Sequence, residues 1–146
     1  LFRSDPAIYE HENAPPQSAA WLRDRFSRLE SRCSPDATQL WLNWVIRVRS
    51  AALIGYVQAT VHANGRAGIA YELASAHWGR GLAHQAVQAM LGELVEHHGV
   101  RGFFAVLKRS NIRSRRLLDR LGFALATDGT LSVEDDEIMM VCDSPA

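Results

Sequence analysis

The chain has 146 residues, 47% hydrophobic, 22% charged and 8% aromatic, and its 16 basic and 16 acidic side chains cancel. Such a composition fits one globular domain, residues 1–146, and excludes disordered and fibrous classes. Zero net charge removes the attraction that nucleic acid or an anionic membrane rewards, and no apolar run approaches the roughly 20 residues of a membrane span.

The first third is punctuated by Pro6, Pro15 and Pro16. A helix is predicted from about Ser18 to Ser31, capped by Ser18 and carrying Trp21, Leu22, Phe26 and Leu29 on one face. Gln39 to Arg49 is rich in aromatic and β-branched residues and predicts a strand; Trp41 and Trp44 fall on its opposite faces, one for the core and one for an acceptor cleft or interface. Ala52 to His62 is a second strand. Asn64-Gly65 is a turn signal, and Ala67 to Leu73 is a third strand, so the three form an antiparallel meander.

The period then changes. Leu82, Ala86, Ala89, Met90, Leu94 and Val95 define one side of a helix from Leu82 to His98, stopped by Gly99. Gly102 to Leu107 is nearly all apolar and predicts a buried strand reached by a crossover helix. Asn111 to Leu121 is a second helix, with Ile112, Leu117, Leu118 and Leu121 inward. Phe123 to Ala126 and Glu137 to Val141 are final strands around Asp128-Gly129.

Charge is unevenly spread. Arg101 to Leu121 carries seven basic residues and one acidic, whereas Leu131 to Ala146 carries five acidic and no basic. Cys33 and Cys142 are too few for a disulfide framework and lack metal-ligand spacing, so no metal is expected and a reducing cytoplasm is the expected compartment.

Two segments could carry chemistry. His77-Trp78-Gly79-Arg80-Gly81-Leu82-Ala83-His84 joins a strand to a helix start, where unpaired N–H groups favour phosphate. It matches neither G-x-G-x-x-G nor a Walker sequence, and two glycines could equally make only a tight turn. Asn111 suits a helix N-cap, and Ser114 three residues on shares that end, facing one cleft or merely solvent. His97-His98 reads as helix-end surface and Cys142 as a small buried apolar residue.

Together, Trp78-Gly79-Arg80-Gly81-Leu82-Ala83, Asn111-Ile112-Arg113-Ser114 and Leu121-Gly122-Phe123, in the order strand, helix, strand, helix, resemble the GNAT superfamily of acyl-CoA-dependent N-acyltransferases over residues 40–142. Trp78 and the Asn-x-x-Ser resemble its RimJ/RimL branch. The resemblance implies an α/β fold with a mixed, mostly antiparallel sheet flanked by helices. It also implies that an initial strand is missing from this chain, leaving a sheet edge for another element or a partner such as a second copy in a homodimer.

The same resemblance implies acetyl-CoA as co-substrate and an amine as acceptor, either a protein N-terminus or a small molecule. The cofactor pyrophosphate would rest on the N–H groups from Gly79 to His84, with Arg80 adding charge. The pantetheine arm would pair with Tyr71-Glu72-Leu73, where the middle strands splay, and the Leu73 N–H would polarise the thioester carbonyl. Asn111 would contact the arm. Many relatives place a tyrosine acid where this chain has Leu118, and that departure points to Ser114 as donor to the CoA thiolate. Glu72 is a candidate base or a group that binds a cationic acceptor, Glu134 a second candidate, and Val106 stands where some members have a glutamate. Two other classes remain at this stage: a non-catalytic acyl-CoA-binding sensor or interaction module, and a nucleic-acid binder using Arg109, Arg113, Arg115 and Arg116. The four arginines share no single helix face and no stacking aromatics interleave them, which ranks the last class lowest.

Overall fold

The computed structural model describes residues 33, 36, 38–50, 52–127 and 134–144. The predicted helix at Ser18 to Ser31 and the Asp128-Gly129 turn lie outside these residues.

Strands β1 (Gln39–Arg47), β2 (Leu53–His62) and β3 (Arg66–Leu73) form the expected antiparallel meander. Asn64 makes its turn by accepting the Arg66 backbone N–H at 3.0 Å through its side-chain oxygen. A short 3-10 turn, Ser75–His77, leads into helix α1 (Leu82–His98). Then come β4 (Gly102–Lys108), α2 (Ile112–Arg120), β5 (Ala124–Leu125) and β6 (Glu137–Asp143). The six strands form one sheet ordered β1-β2-β3-β4-β6-β5.

Only the β3–β4 pair is parallel, as a crossover through α1 demands. Pairing there is confined to Arg66–Gly68 against Gly102–Phe104. Beyond Gly68 the two strands diverge, and the gap opens the cavity described below.

The core gathers Val57, Ile69, Val87, Met90, Leu94, Phe103, Leu107, Leu118, Phe123 and Met140, with Trp44 packed against it. Two expected stripes are rotated. On α1 the buried residues are Val87, Met90 and Leu94, and Ala89 faces solvent. Small alanines let several helical faces score alike, so contact with the sheet, not periodicity, fixed the buried side. On α2 the expected inward Ile112 is 51% exposed, because it occupies the first turn at the cavity rim.

The strand β4 departs from the continuous burial expected of its apolar run. Phe103, Ala105 and Leu107 are buried, while Val106 is 42% exposed on the cavity side where β3 has turned away. At the other edge, β1 carries an isolated antiparallel bridge from Cys33 to Leu40 on its outer side.

Candidate active site

Where β3 diverges from β4 lies a cavity of about 1100 Å³, open to solvent and lined in part by the N-terminal turns of α1 and α2. Its walls include Tyr71, Glu72 and Leu73 from β3, the loop before α1, Val106 and Lys108 from β4, and Asn111 to Ser114. Residues from both sequence segments therefore border one space.

The loop adopts the form that its glycines permit. Gly79 and Gly81 have φ of 78° and 73°, in the left-handed region that side chains disfavour. Gly81 is the N-cap of α1, and no side chain caps that end. The first-turn N–H groups of Leu82, Ala83 and His84 thus meet the cavity without intrahelical partners, at the positive end of a 17-residue helix. Gly79, Gly81, Leu82, Ala83 and His84 line the cavity; Arg80, expected to add charge beside them, is not among its lining residues.

Trp78 secures this loop. Its indole N–H donates to the Leu73 carbonyl at 2.8 Å, tying the loop to the end of β3. The Arg113 guanidinium carbon sits 3.7 Å from the centre of the Trp78 ring, tying α2 to the same point through a cation–π contact. Neither contact was foreseen from the sequence. The first spans five residues at a strand end and the second joins residues 35 apart, and neither follows a helix or strand period that local patterns report.

Asn111 performs the expected cap: its side-chain oxygen accepts the Ser114 backbone N–H at 3.1 Å. Ser114 lies opposite Tyr71, whose hydroxyl oxygen is 2.5 Å from Ser114 Oγ and 3.5 Å from the Ser114 carbonyl oxygen. Tyr71 had been expected to contribute only its backbone, so its side chain adds a second hydroxyl to the cavity. Leu118, in the position of the usual tyrosine, is fully buried.

Glu72 is the charged residue buried in the core region, 8% exposed, and it also borders the cavity. Glu134 and Glu137 border the opposite rim, where Glu137 Oε1 accepts the Glu134 backbone N–H at 3.2 Å. Lys108 holds this acidic hairpin to β4 through Asp136, 3.0 Å away. The hydrogen bond with Asp136 raises the Lys108 pKa above its ordinary value, against a smaller opposing effect of desolvation. Arg113, Arg116 and Arg120 line the α2 side. The cavity lining therefore combines N–H groups and arginines with the carboxylates of Glu72, Glu134 and Glu137.

The remaining sequence candidates separate from this site. Trp41 does not line the cavity; its indole N–H donates to Gln39 Oε1 at 3.2 Å. His97 is exposed beside Glu93 and Glu96, each 3.8 Å away. Cys142 is half-buried against the core, and desolvation first, then Asp143, pushes its thiol pKa up. The buried Nδ1 of His77 has no hydrogen-bond partner among the described residues. No group of three or more His, Cys, Asp or Glu side chains placed to hold a metal occurs among the described residues, and none of their helices is long and apolar enough to cross a membrane.

These features coincide with a known architecture. A sequence search of curated proteins matches none. Among solved structures, spermidine N-acetyltransferase from Vibrio cholerae in complex with CoA and spermine superposes with a TM-score of 0.78 at 15% identity, covering 97% of this chain and 85% of that one. Aminoglycoside acetyltransferase AAC(6')-Ib in complex with coenzyme A and kanamycin gives 0.77 at 22% identity, covering 97% and 85%. RimJ from Mycobacterium smegmatis in complex with CoA-disulfide gives 0.76 at 19% identity, covering 98% and 74%. The family model for the acetyltransferase (GNAT) domain matches residues 1–124. The chain accordingly belongs to the acetyltransferase (GNAT) domain family, whose members are acetyl-CoA-dependent N-acetyltransferases.

Proposed function

We propose that this protein transfers the acetyl group of acetyl-CoA to a primary amine that carries positive charge, within one ternary complex. The observation that carries the reading is that one cavity is lined by the uncapped first turn of α1, a buried carboxylate, two hydroxyls and the acidic residues Glu134 and Glu137.

When bound, acetyl-CoA supplies an activated acyl group whose sulfur is a fair leaving group. The N–H groups of Gly81 to His84 hold its pyrophosphate, and Gly79 keeps the backbone open to it. Leu73 and its neighbours Tyr71 and Glu72, freed from β4 by the splay, run beside the pantetheine arm, with the Leu73 N–H directed at the thioester carbonyl. Asn111 fixes the first turn of α2 against the arm. Ser114 donates to the departing sulfur. Arg80, exposed between Gly79 and Gly81, adds positive charge beside the anionic cofactor.

The acceptor must lose a proton to become nucleophilic. Glu72 takes it, directly or through water, since it is the buried carboxylate that borders the cavity. Glu134 belongs to the rim with Glu137 and attracts a cationic acceptor. The amine ligands in the spermidine and aminoglycoside enzymes named above are of the same charge class, which supports a polyamine-like or aminoglycoside-like acceptor. The RimJ likeness supports a protein N-terminus as the other amine class. With only two cysteines, Cys33 and Cys142, the sequence suits a reducing cytoplasm.

Thiol release from acetyl-CoA across a panel of polyamines, aminoglycosides, N-terminal peptides and anionic amines tests the reading. Turnover with cationic amines is expected. A protein that binds CoA yet releases no thiol with any amine would instead be the non-catalytic sensor or interaction module, and turnover restricted to anionic or neutral amines would overturn the role of the acidic rim.

A further inference from the structure

Tyr71 and Ser114 are 43 residues apart in sequence and belong to different elements, yet their hydroxyl oxygens lie 2.5 Å apart on the cavity wall. The backbone on each side is fixed independently. Ser114 is anchored by the Asn111 cap at its N–H, and Tyr71 by antiparallel pairing with Val57 of β2. A serine hydroxyl in the first turn of a helix rotates freely and commonly turns back toward backbone carbonyls. Here a tyrosine held by a strand occupies one side of Ser114 Oγ. When Tyr71 donates to that oxygen, the serine O–H is left to point elsewhere, and the open direction is the cavity.

Resting on the acetyl-transfer reading above, we propose that Tyr71 is a positioning residue that aims the Ser114 hydroxyl at the thioester sulfur and replenishes its proton. As the acyl–nitrogen bond forms and the acyl–sulfur bond breaks, the sulfur keeps the bonding electron pair. Ser114 passes its Oγ proton to that sulfur while Tyr71 passes its own to Oγ. The proton that Glu72 takes from the acceptor nitrogen passes on to solvent, and the Tyr71 oxygen regains one from solvent, so the protein ends the cycle unchanged. A free phenol and a free thiol titrate within about two pKa units of each other, so the relay runs nearly level. The arrangement also accounts for chemistry at a site where Leu118 offers no donor: the phenol is supplied by β3, not by α2.

The test compares wild type, Tyr71→Phe, Ser114→Ala and the double variant, with acetyl-CoA and the amine that gives the fastest thiol release. Tyr71→Phe keeps the ring, and its thermal midpoint reports that the fold is retained. Loss of one oriented hydrogen bond predicts kcat about tenfold lower in Tyr71→Phe, with KM for acetyl-CoA unchanged. In the Ser114→Ala background the same change has no further effect, because Tyr71 acts through Ser114. A second readout needs no turnover: with tyrosine isotope-labelled at the ring carbon bearing the hydroxyl, the Tyr71 resonance shifts on Ser114→Ala. It also shifts when CoA is added to wild type, and does not when CoA is added to Ser114→Ala. Wild-type kcat in Tyr71→Phe, fully multiplicative losses in the double variant, or a Tyr71 resonance indifferent to Ser114→Ala would each overturn the relay alone. Absence of turnover by wild type with every amine would overturn the acetyl-transfer reading as well, a distinguishable result.

Discussion

Replacing Gly55 with alanine probes how the end of β3 that borders the cavity is held. Gly55 sits opposite Leu73 in the β2–β3 ladder. A Cβ built there would lie 2.2 Å from the Glu72 carbonyl oxygen, 3.0 Å from Leu73 Cα and 3.1 Å from the Glu72 carbonyl carbon. Carbon–oxygen contacts settle near about 3.3 Å, so relief requires the two strands to separate by about 1 Å. All three obstructing atoms are backbone, and no side-chain rotation can relieve them. Overpacking of this kind costs about 1–3 kcal/mol, which for a domain of this size lowers the thermal midpoint by about 4–12 °C. The larger effect is on function. The atoms displaced belong to Glu72 and Leu73, and a misplacement of about 1 Å in a reacting geometry lowers turnover by about 100-fold. Circular dichroism melting gives the first number and thiol release from acetyl-CoA the second. A Gly55→Ala protein with wild-type midpoint and wild-type kcat would show that β2 does not press on Glu72 as described and that Leu73 is not held in the reacting geometry.

Other substitutions separate binding from chemistry. Gly81→Ala introduces a side chain with nothing within 4 Å but at a φ of 73°, so it costs about 1–2 kcal/mol in strain and weakens CoA binding in a calorimetric titration by tilting the first turn of α1; unchanged affinity would remove that turn from the phosphate site. Glu72→Gln is expected to leave CoA affinity intact while kcat drops about 100-fold, the scale of a lost general base, and a rise in the KM for amine at constant kcat would make Glu72 a binding group instead. The thiol of Cys142, pushed up by burial and by Asp143, should alkylate more slowly than free cysteine near neutral pH, with a rate still climbing above the ordinary thiol pKa; equal rates would contradict its placement against the core.

The meander, the crossover helix and the Asn111 cap were legible because each rests on local signals: a two-residue period, the Asn64-Gly65 turn, a Gly stop, a short polar side chain before an apolar helix. The loop before α1 stood out as a site candidate only in combination with Asn111 and Ser114, since Gly79 and Gly81 alone also describe a plain turn. The missed features share a different physical origin. Burial of Val87 in place of Ala89, exposure of Val106 and the meeting of Tyr71 with Ser114 all depend on how separate elements pack against one another. Strand divergence leaves no pattern in a single strand.

The most direct measurement is a crystal structure of the protein with CoA and the amine it acetylates fastest. The account predicts the pyrophosphate on the N–H groups of Gly81 to His84, the CoA sulfur within hydrogen-bond reach of Ser114 Oγ, and the amine between Glu72 and the Glu134–Glu137 rim. A sulfur distant from Ser114, or an acceptor amine bound away from Glu72, would contradict it.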